Sequence, residues 1–211
     1  MSKEVEDLNL ICIGPLTNLA LACRLDPHLP SRIASLTVMG GTYKGIGNIT
    51  LNTEFNFCQD PEAVSIVLNS GFKNFKLVPW DTCIKTSPTT PEQIANLYDA
   101  STPLGKFHHD THQFMYNFEK KNMLVDVSTA VITIDESVIL ESFDAFGVVE
   151  TSKGMSRGSI SYLSDRSLPY QKDLIRETYG IDASKPNVTV ITEIDIDKSI
   201  EIIARAKELL Q

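Results

Sequence analysis

Asn48, Glu54 and Asn56 share one short run, Asn48-Ile49-Thr50-Leu51-Asn52-Thr53-Glu54-Phe55-Asn56, just beyond Met39-Gly40-Gly41. An amide both donates and accepts hydrogen bonds, and a carboxylate accepts strongly. Two amides and a carboxylate, with Phe55 as an apolar wall between two of them, suit a polyhydroxylated small molecule such as a sugar. Residues of these types also bond to their own backbone in polar loops. The run therefore reads either as a sugar grip or as a loop that caps itself. Asp126 stands between Met123-Leu124-Val125 and a further apolar segment, so it is either a helix cap or a buried ligand. As a cation ligand it needs companions, since calcium takes about six to eight oxygens.

Other constellations are weaker. His108 and His112 lie one helical turn apart, but no HExxH glutamate stands between them and no third ligand is evident. They read as a solvated helix face rather than a metal site. Trp80-Asp81-Thr82 is either a carboxylate aimed from a strand end or a capped turn. Gly14-Pro15-Leu16-Thr17-Asn18 lacks GxGxxG and the Gly-Lys-Ser/Thr of a phosphate loop, and no GxSxG elbow occurs.

The elements that must position these residues alternate. Leu8 to Ile13 reads as a buried strand broken by Gly14-Pro15, and Leu16 to Leu25 as a helix with Thr17 or Asn18 near its start. Ser35 to Met39 is a second strand. Asp60 with Pro61 makes a cap and first turn for a helix through Leu68. Phe75 to Val78 is a third strand. This order predicts a mostly parallel sheet covered by helices, an α/β class. Pro91 to Asp99 and Pro103 to Lys121 read as helices, and Val127 to Ile134 as helix or strand. Phe143 to Glu150 and Gly158 to Leu163 suggest a small antiparallel ribbon. Asn187 to Glu193 is a last strand, and Ile196 to Leu210 a closing amphipathic helix with Asp197 as its cap. No repeat or linker interrupts residues 1–211, which read as one domain. Ligands of such sheets bind outside the carboxyl ends of the strands, where Ile13-Gly14, Met39-Gly40-Gly41 and Trp80-Asp81 fall.

Bulk composition narrows the partners. The 211 residues carry 19 Lys and Arg against 27 Asp and Glu, a net charge of −8. Without a basic run, nucleic acid and anionic membranes are poor partners. No apolar run approaches the roughly 20 residues that span a bilayer. No apolar stretch follows a basic start, so the expected location is cytoplasmic. Cys12, Cys23, Cys58 and Cys83 form no CxxC pair and read as reduced thiols.

Taken in order, these motifs resemble the inosine–uridine-preferring nucleoside hydrolase family. The matching pieces are Gly14-Pro15-Leu16-Thr17-Asn18-Leu19-Ala20, Met39-Gly40-Gly41, Gly47-Asn48, Glu54-Phe55-Asn56, Asp60-Pro61-Glu62-Ala63, Pro79-Trp80-Asp81-Thr82 and Val125-Asp126. Gly147-Val148-Val149-Glu150, running on to Ser156-Arg157-Gly158, extends the likeness. The resemblance implies hydrolysis of the N-glycosidic bond of purine or pyrimidine ribonucleosides, with calcium as cofactor. Nucleoside or ribose would be the partner, in a homo-oligomer when intact. Carried over by position, Ile13 gives calcium a main-chain carbonyl, and Asp126 gives it a carboxylate close to the ribose. Asn48 and Glu54 face the 5′ side of the sugar, Asn56 bonds a ring hydroxyl, and Met39 lines the pocket.

Two departures stand out. The family's N-terminal DxDxxxDD cluster, which binds calcium and the ribose hydroxyls and supplies the general base, has no counterpart in this sequence. Many members also carry His where Val125 stands, and valine cannot protonate a leaving base. The expectation is an impaired or inactive hydrolase in this chain alone, with the N-terminal part of the family fold missing. The alternative is a catalytically dead module for ribose binding or subunit contact.

Overall fold

Strand β2 (Ile33–Met39) is buried along nearly its whole length, so helices must cover both of its faces. In the computed structural model, residues 7–86, 90, 93, 97, 103, 105–107, 109–111, 113, 124–165, 167 and 169–208 are described. Among the described residues the sheet has six strands, in the order β1-β2-β3-β6-β4-β5. They are β1 (Leu8–Cys12), β2, β3 (Phe75–Val78), β4 (Ile139–Val149), β5 (Ile160–Leu163) and β6 (Val188–Ile194). β1, β2, β3 and β6 run parallel, whereas β4 is antiparallel to both β6 and β5. The α/β sheet with its small antiparallel ribbon is thus the one expected.

Successive strand residues divide between the two faces, as the pleat requires. Val38, Leu77 and Val190 enter one apolar cluster with helices α1 (Thr17–Leu25) and α3 (Pro61–Leu68), and with Phe57 of the short helix α2 (Phe55–Gln59). Met39, Val78 and Ile191 enter the other, with Cys83 of α4 (Trp80–Lys85) and Val131 and Ile132 of α5 (Val125–Ile134). The segment open between helix and strand is therefore a helix. Its Thr133 hydroxyl meets that of Thr37 on β2 at 2.8 Å. Two further helices, α6 (Pro169–Tyr179) and α7 (Ile196–Glu208), complete the described set.

Caps fall partly where the sequence puts them. Asp60 caps α3, its Oδ1 accepting from the Ala63 N–H at 3.0 Å, with Pro61 at the first position. α1 has no side-chain cap, and the Thr17 hydroxyl bonds Asp60 instead. At α7 the expected cap is displaced: Asp195, not Asp197, accepts from the Lys198 N–H at 3.0 Å, while Asp197 accepts from the Gln93 amide at 2.9 Å. The predicted helices Pro91 to Asp99 and Pro103 to Lys121 lie mostly outside the described residues. His108 and His112 fall outside them too. All four cysteines are free thiols. Among the described residues no helix is long and apolar enough to cross a membrane.

Candidate active site

At the carboxyl ends of β2 and β3 the backbone pairing continues past the strands. Gly40 N–H donates to the Val78 carbonyl at 3.2 Å, and Trp80 N–H to the Gly41 carbonyl at 3.0 Å. This brings the chain leaving β2 beside the start of α4. Only glycine fits at position 40, where a Cβ would sit 2.4 Å from the Phe57 ring. Gly41 adds a left-handed φ of +66°, which turns the chain away from the sheet.

Glu54 is the focus of the local bonding. It is 2% exposed and caps α2 from an extended backbone conformation. Its Oε1 accepts from the Asn56 N–H at 2.7 Å, and its Oε2 from the Gly41 N–H at 2.9 Å and the Phe57 N–H at 3.2 Å. Burial is the largest influence on its carboxyl and lifts it above the ordinary range; the three N–H bonds pull the other way. Asn56, also buried, donates its amide to the Met39 carbonyl at 3.3 Å and to the Met39 Sδ at 3.2 Å. That orientation leaves Asn56 Oδ1 unmet by any donor among the described residues. Asn48 is exposed, and its Oδ1 accepts from the Phe55 N–H at 2.8 Å. The self-capping alternative for this run is therefore realised by Glu54 and by the carbonyl of Asn48. The amide of Asn48 and the carbonyl of Asn56 remain directed elsewhere.

Asp126 lies in the first turn of α5, but the cap position is Leu124, with no side-chain bond. The cap alternative therefore fails, and Asp126 is exposed rather than buried. Partial burial still raises its carboxyl above the usual range. Its charge also reaches the Glu54 carboxyl and the Cys83 thiol. Burial is the first cause in raising that thiol to about 12, and Asp126 the second. Cys83 Sγ donates to the Val125 carbonyl at 3.8 Å, tying α4 to the start of α5. Met39, Glu54 and Asn56 thus form one bonded cluster, with Asn48 attached through Phe55 and Asp126 within electrostatic reach. Ile13, just past β1, is half-exposed, and no hydrogen bond links it to that cluster.

Calcium fits this set poorly. Among the described residues no group of three His, Cys, Asp or Glu side chains converges to hold a metal. The Ile13 carbonyl and the Asp126 carboxylate are two donors where calcium takes about six to eight.

Asp81 is the residue whose part the sequence leaves open. It is buried, and its carboxylate accepts backbone N–H groups from Tyr43 at 2.5 Å and from Lys44 and Ile46 at 3.3 Å. The antiparallel ribbon backs the same loop, with Tyr162 Oη donating to the Thr42 carbonyl at 3.2 Å and the Asn52 amide to Ser156 Oγ at 3.3 Å. Two hollows among the described residues lie at other places. One of about 450 Å³ is lined by Cys23, Pro27, Ser65 and Asn69; another of about 740 Å³ is lined by Tyr43, Lys44, Lys85 and Phe143. Met39, Asn56 and Asp126 line neither.

Four parallel strands, an antiparallel extension and a polar cluster beyond the strand ends define a mixed α/β protein of the sheet-end-site type. The inosine-uridine preferring nucleoside hydrolase profile matches residues 1–201, and the chain belongs to that family. It is 35% identical over 116 residues to a putative pyrimidine-specific ribonucleoside hydrolase, RihB, of Shigella boydii, a match covering 55% of this chain and 47% of the relative. The pyrimidine-specific RihB of Escherichia coli O1:K1 is also 35% identical over 116 residues, covering 36% of its length. Among solved structures, an inosine-guanosine nucleoside hydrolase superposes with a TM-score of 0.82 at 23% identity, over 96% of this chain and 63% of its own. A purine-preferring ribonucleoside hydrolase from Gardnerella vaginalis superposes with a TM-score of 0.75 at 23% identity, over 96% and 60%. The chain thus spans under two thirds of the length of these relatives.

Proposed function

We propose that this chain carries the sugar-holding part of a ribonucleoside hydrolase centre. The reaction served is cleavage of the N-glycosidic bond of a nucleoside to ribose and free base. One observation carries the reading: Met39, Glu54 and Asn56 are bonded into one cluster beyond β2.

The free Oδ1 of Asn56 accepts from a ring hydroxyl, and the free amide of Asn48 donates on the 5′ side. A carboxylate offers about four lone-pair sites. Glu54 uses three on Gly41, Asn56 and Phe57, so one remains for the sugar. Met39 closes the apolar side. As the C–N bond breaks and its electron pair leaves with the base, the ribosyl group becomes oxocarbenium-like, and the Asp126 carboxylate stabilises the growing positive charge. Val125 has no proton to give the leaving base. With two donors for calcium and no aspartate cluster to act as base, turnover by these 211 residues alone is low or absent. The same shortage favours a second reading, ribose binding without turnover.

Calorimetric titration with ribose, together with ribose release from inosine and uridine, tests both. The expected result is ribose binding with release at least about tenfold slower than that of a full-length relative. Turnover matching the relative overturns the impairment. Absence of ribose binding overturns the site.

A further inference from the structure

We propose that Asp81 is a positioning residue, which clamps the loop carrying Asn48 in the conformation that presents its amide to the sugar. This rests on the sugar-holding reading above. The chain from Gly41 to Glu54 leaves the sheet and returns to it, and unaided it would pay the full entropy of loop ordering. Two buried carboxylates hold it. Glu54 takes the Gly41 N–H at 2.9 Å, where the loop starts. Asp81 takes three consecutive-turn donors, Tyr43 at 2.5 Å and Lys44 and Ile46 at 3.3 Å, immediately ahead of Gly47-Asn48.

Past that clamp the loop closes on itself. Gly47 N–H donates to the Leu51 carbonyl at 3.0 Å, and Asn48 N–H to the Thr53 carbonyl at 3.2 Å. Gly47 has no room for a Cβ, which would sit 2.3 Å from the Thr50 carbonyl oxygen. Asn48 is therefore fixed on one side by Asp81 through Ile46 and on the other by its own bond to the Phe55 N–H at 2.8 Å. Asp81 itself is held rigidly, because α4 is anchored by Thr82, whose hydroxyl donates to the Ile191 carbonyl on β6 at 2.6 Å. Sheet, α4, Asp81, loop and Asn48 form one chain of direct bonds. A carboxylate suits the task because hydrogen bonds to a charged acceptor are roughly twice as strong as neutral ones.

The test compares Asp81→Asn with Thr82→Val in the 211-residue protein. Amide hydrogen exchange is followed residue by residue, with ribose affinity and the melting temperature measured in parallel. Asp81→Asn is expected to speed exchange at Tyr43, Lys44 and Ile46 by about tenfold or more, with Leu77 and Val190 unchanged. It should weaken ribose binding by roughly tenfold. Thr82→Val, which frees the far end of the same chain of bonds, should lower the melting temperature and speed loop exchange less than Asp81→Asn does at equal loss of stability, which separates positioning from mere support. Unchanged exchange at the three amides overturns the clamp. So does equal ribose affinity in a variant whose loop has loosened. If the wild type binds no ribose, the sugar-holding reading falls, and the exchange pattern by itself decides whether Asp81 holds the loop.

Discussion

The two sides of the polar cluster are built differently. On the Gly41–Phe57 side nearly every polar group already has a partner: Glu54 and Asp81 together accept six backbone N–H groups, and Asn48 and Asn56 each have one end tied down. On the β1–α5 side the surface is open. Ile11 is 38% exposed, Ile13 50% and Val127 40%, and among the described residues β1 pairs only with β2. Asp126 makes no capping bond. The first side is preorganised by its own backbone, so it keeps its geometry without a ligand. The second has chemistry to offer but nothing that holds it, and exposed apolar surface beside an unpaired edge is a recognised site of association.

The largest way to break the preorganised side is Glu54→Ala. It strands the N–H groups of Gly41, Asn56 and Phe57 in a site that is 2% exposed. Each unsatisfied buried donor costs roughly 1–3 kcal/mol, so a loss of at least about 3 kcal/mol is expected in urea unfolding. A loss below about 1 kcal/mol would mean that water reaches these donors, and the contrast between the two sides would fade. On the open side the expected effect is smaller and of another kind. Ile11→Lys places a charge on an edge strand that has none, and should leave stability within about 0.5 kcal/mol while reducing self-association. Sedimentation velocity checks this: association unchanged by the lysine would show that the β1 edge is not adhesive.

The same contrast governs what was legible in the sequence. Local signals were read directly. Phe75–Val78 is a short buried strand between turn residues, and Asp60-Pro61 opens a helix because one capping bond and one fixed φ decide it within four residues. The apolar order strand, helix, strand was enough for a parallel sheet. It did not reveal that β6 inserts between β3 and β4, since strand order depends on pairings that no local pattern encodes. The site divides likewise. The types of Asn48, Glu54 and Asn56 announce polar recognition, but Glu54 spends most of its capacity on backbone. Asp81 acts across 35 to 38 positions of chain, a distance at which spacing carries no signal. Asp126 reads as a cap or a buried ligand, but the helix starts ahead of it without a polar cap and its side chain is exposed.

The finest test asks whether the two sides sense each other at all. The Glu54 carboxyl is raised chiefly by burial, with the charge of Asp126 as a smaller contributor. An acid raised in the folded state holds its proton over a pH window in which the unfolded chain has already lost it. Stability therefore falls as pH rises from the ordinary carboxylate range through the raised value. Asp126→Asn removes one cause of the rise, so Glu54 should titrate at lower pH and the window should narrow. The raised Asp126 carboxyl contributes in the same sense, and its removal narrows the dependence further. Carbon-detected NMR of the Glu54 carboxyl gives the midpoint, and urea unfolding across the acid range gives the stability. A Glu54 midpoint that stays put in Asp126→Asn would mean that solvent screens the two carboxylates from one another. The cluster proposed to hold the sugar and the carboxylate proposed to face the ribosyl charge would then be separate features of the surface, and the proposed centre would lose its second half.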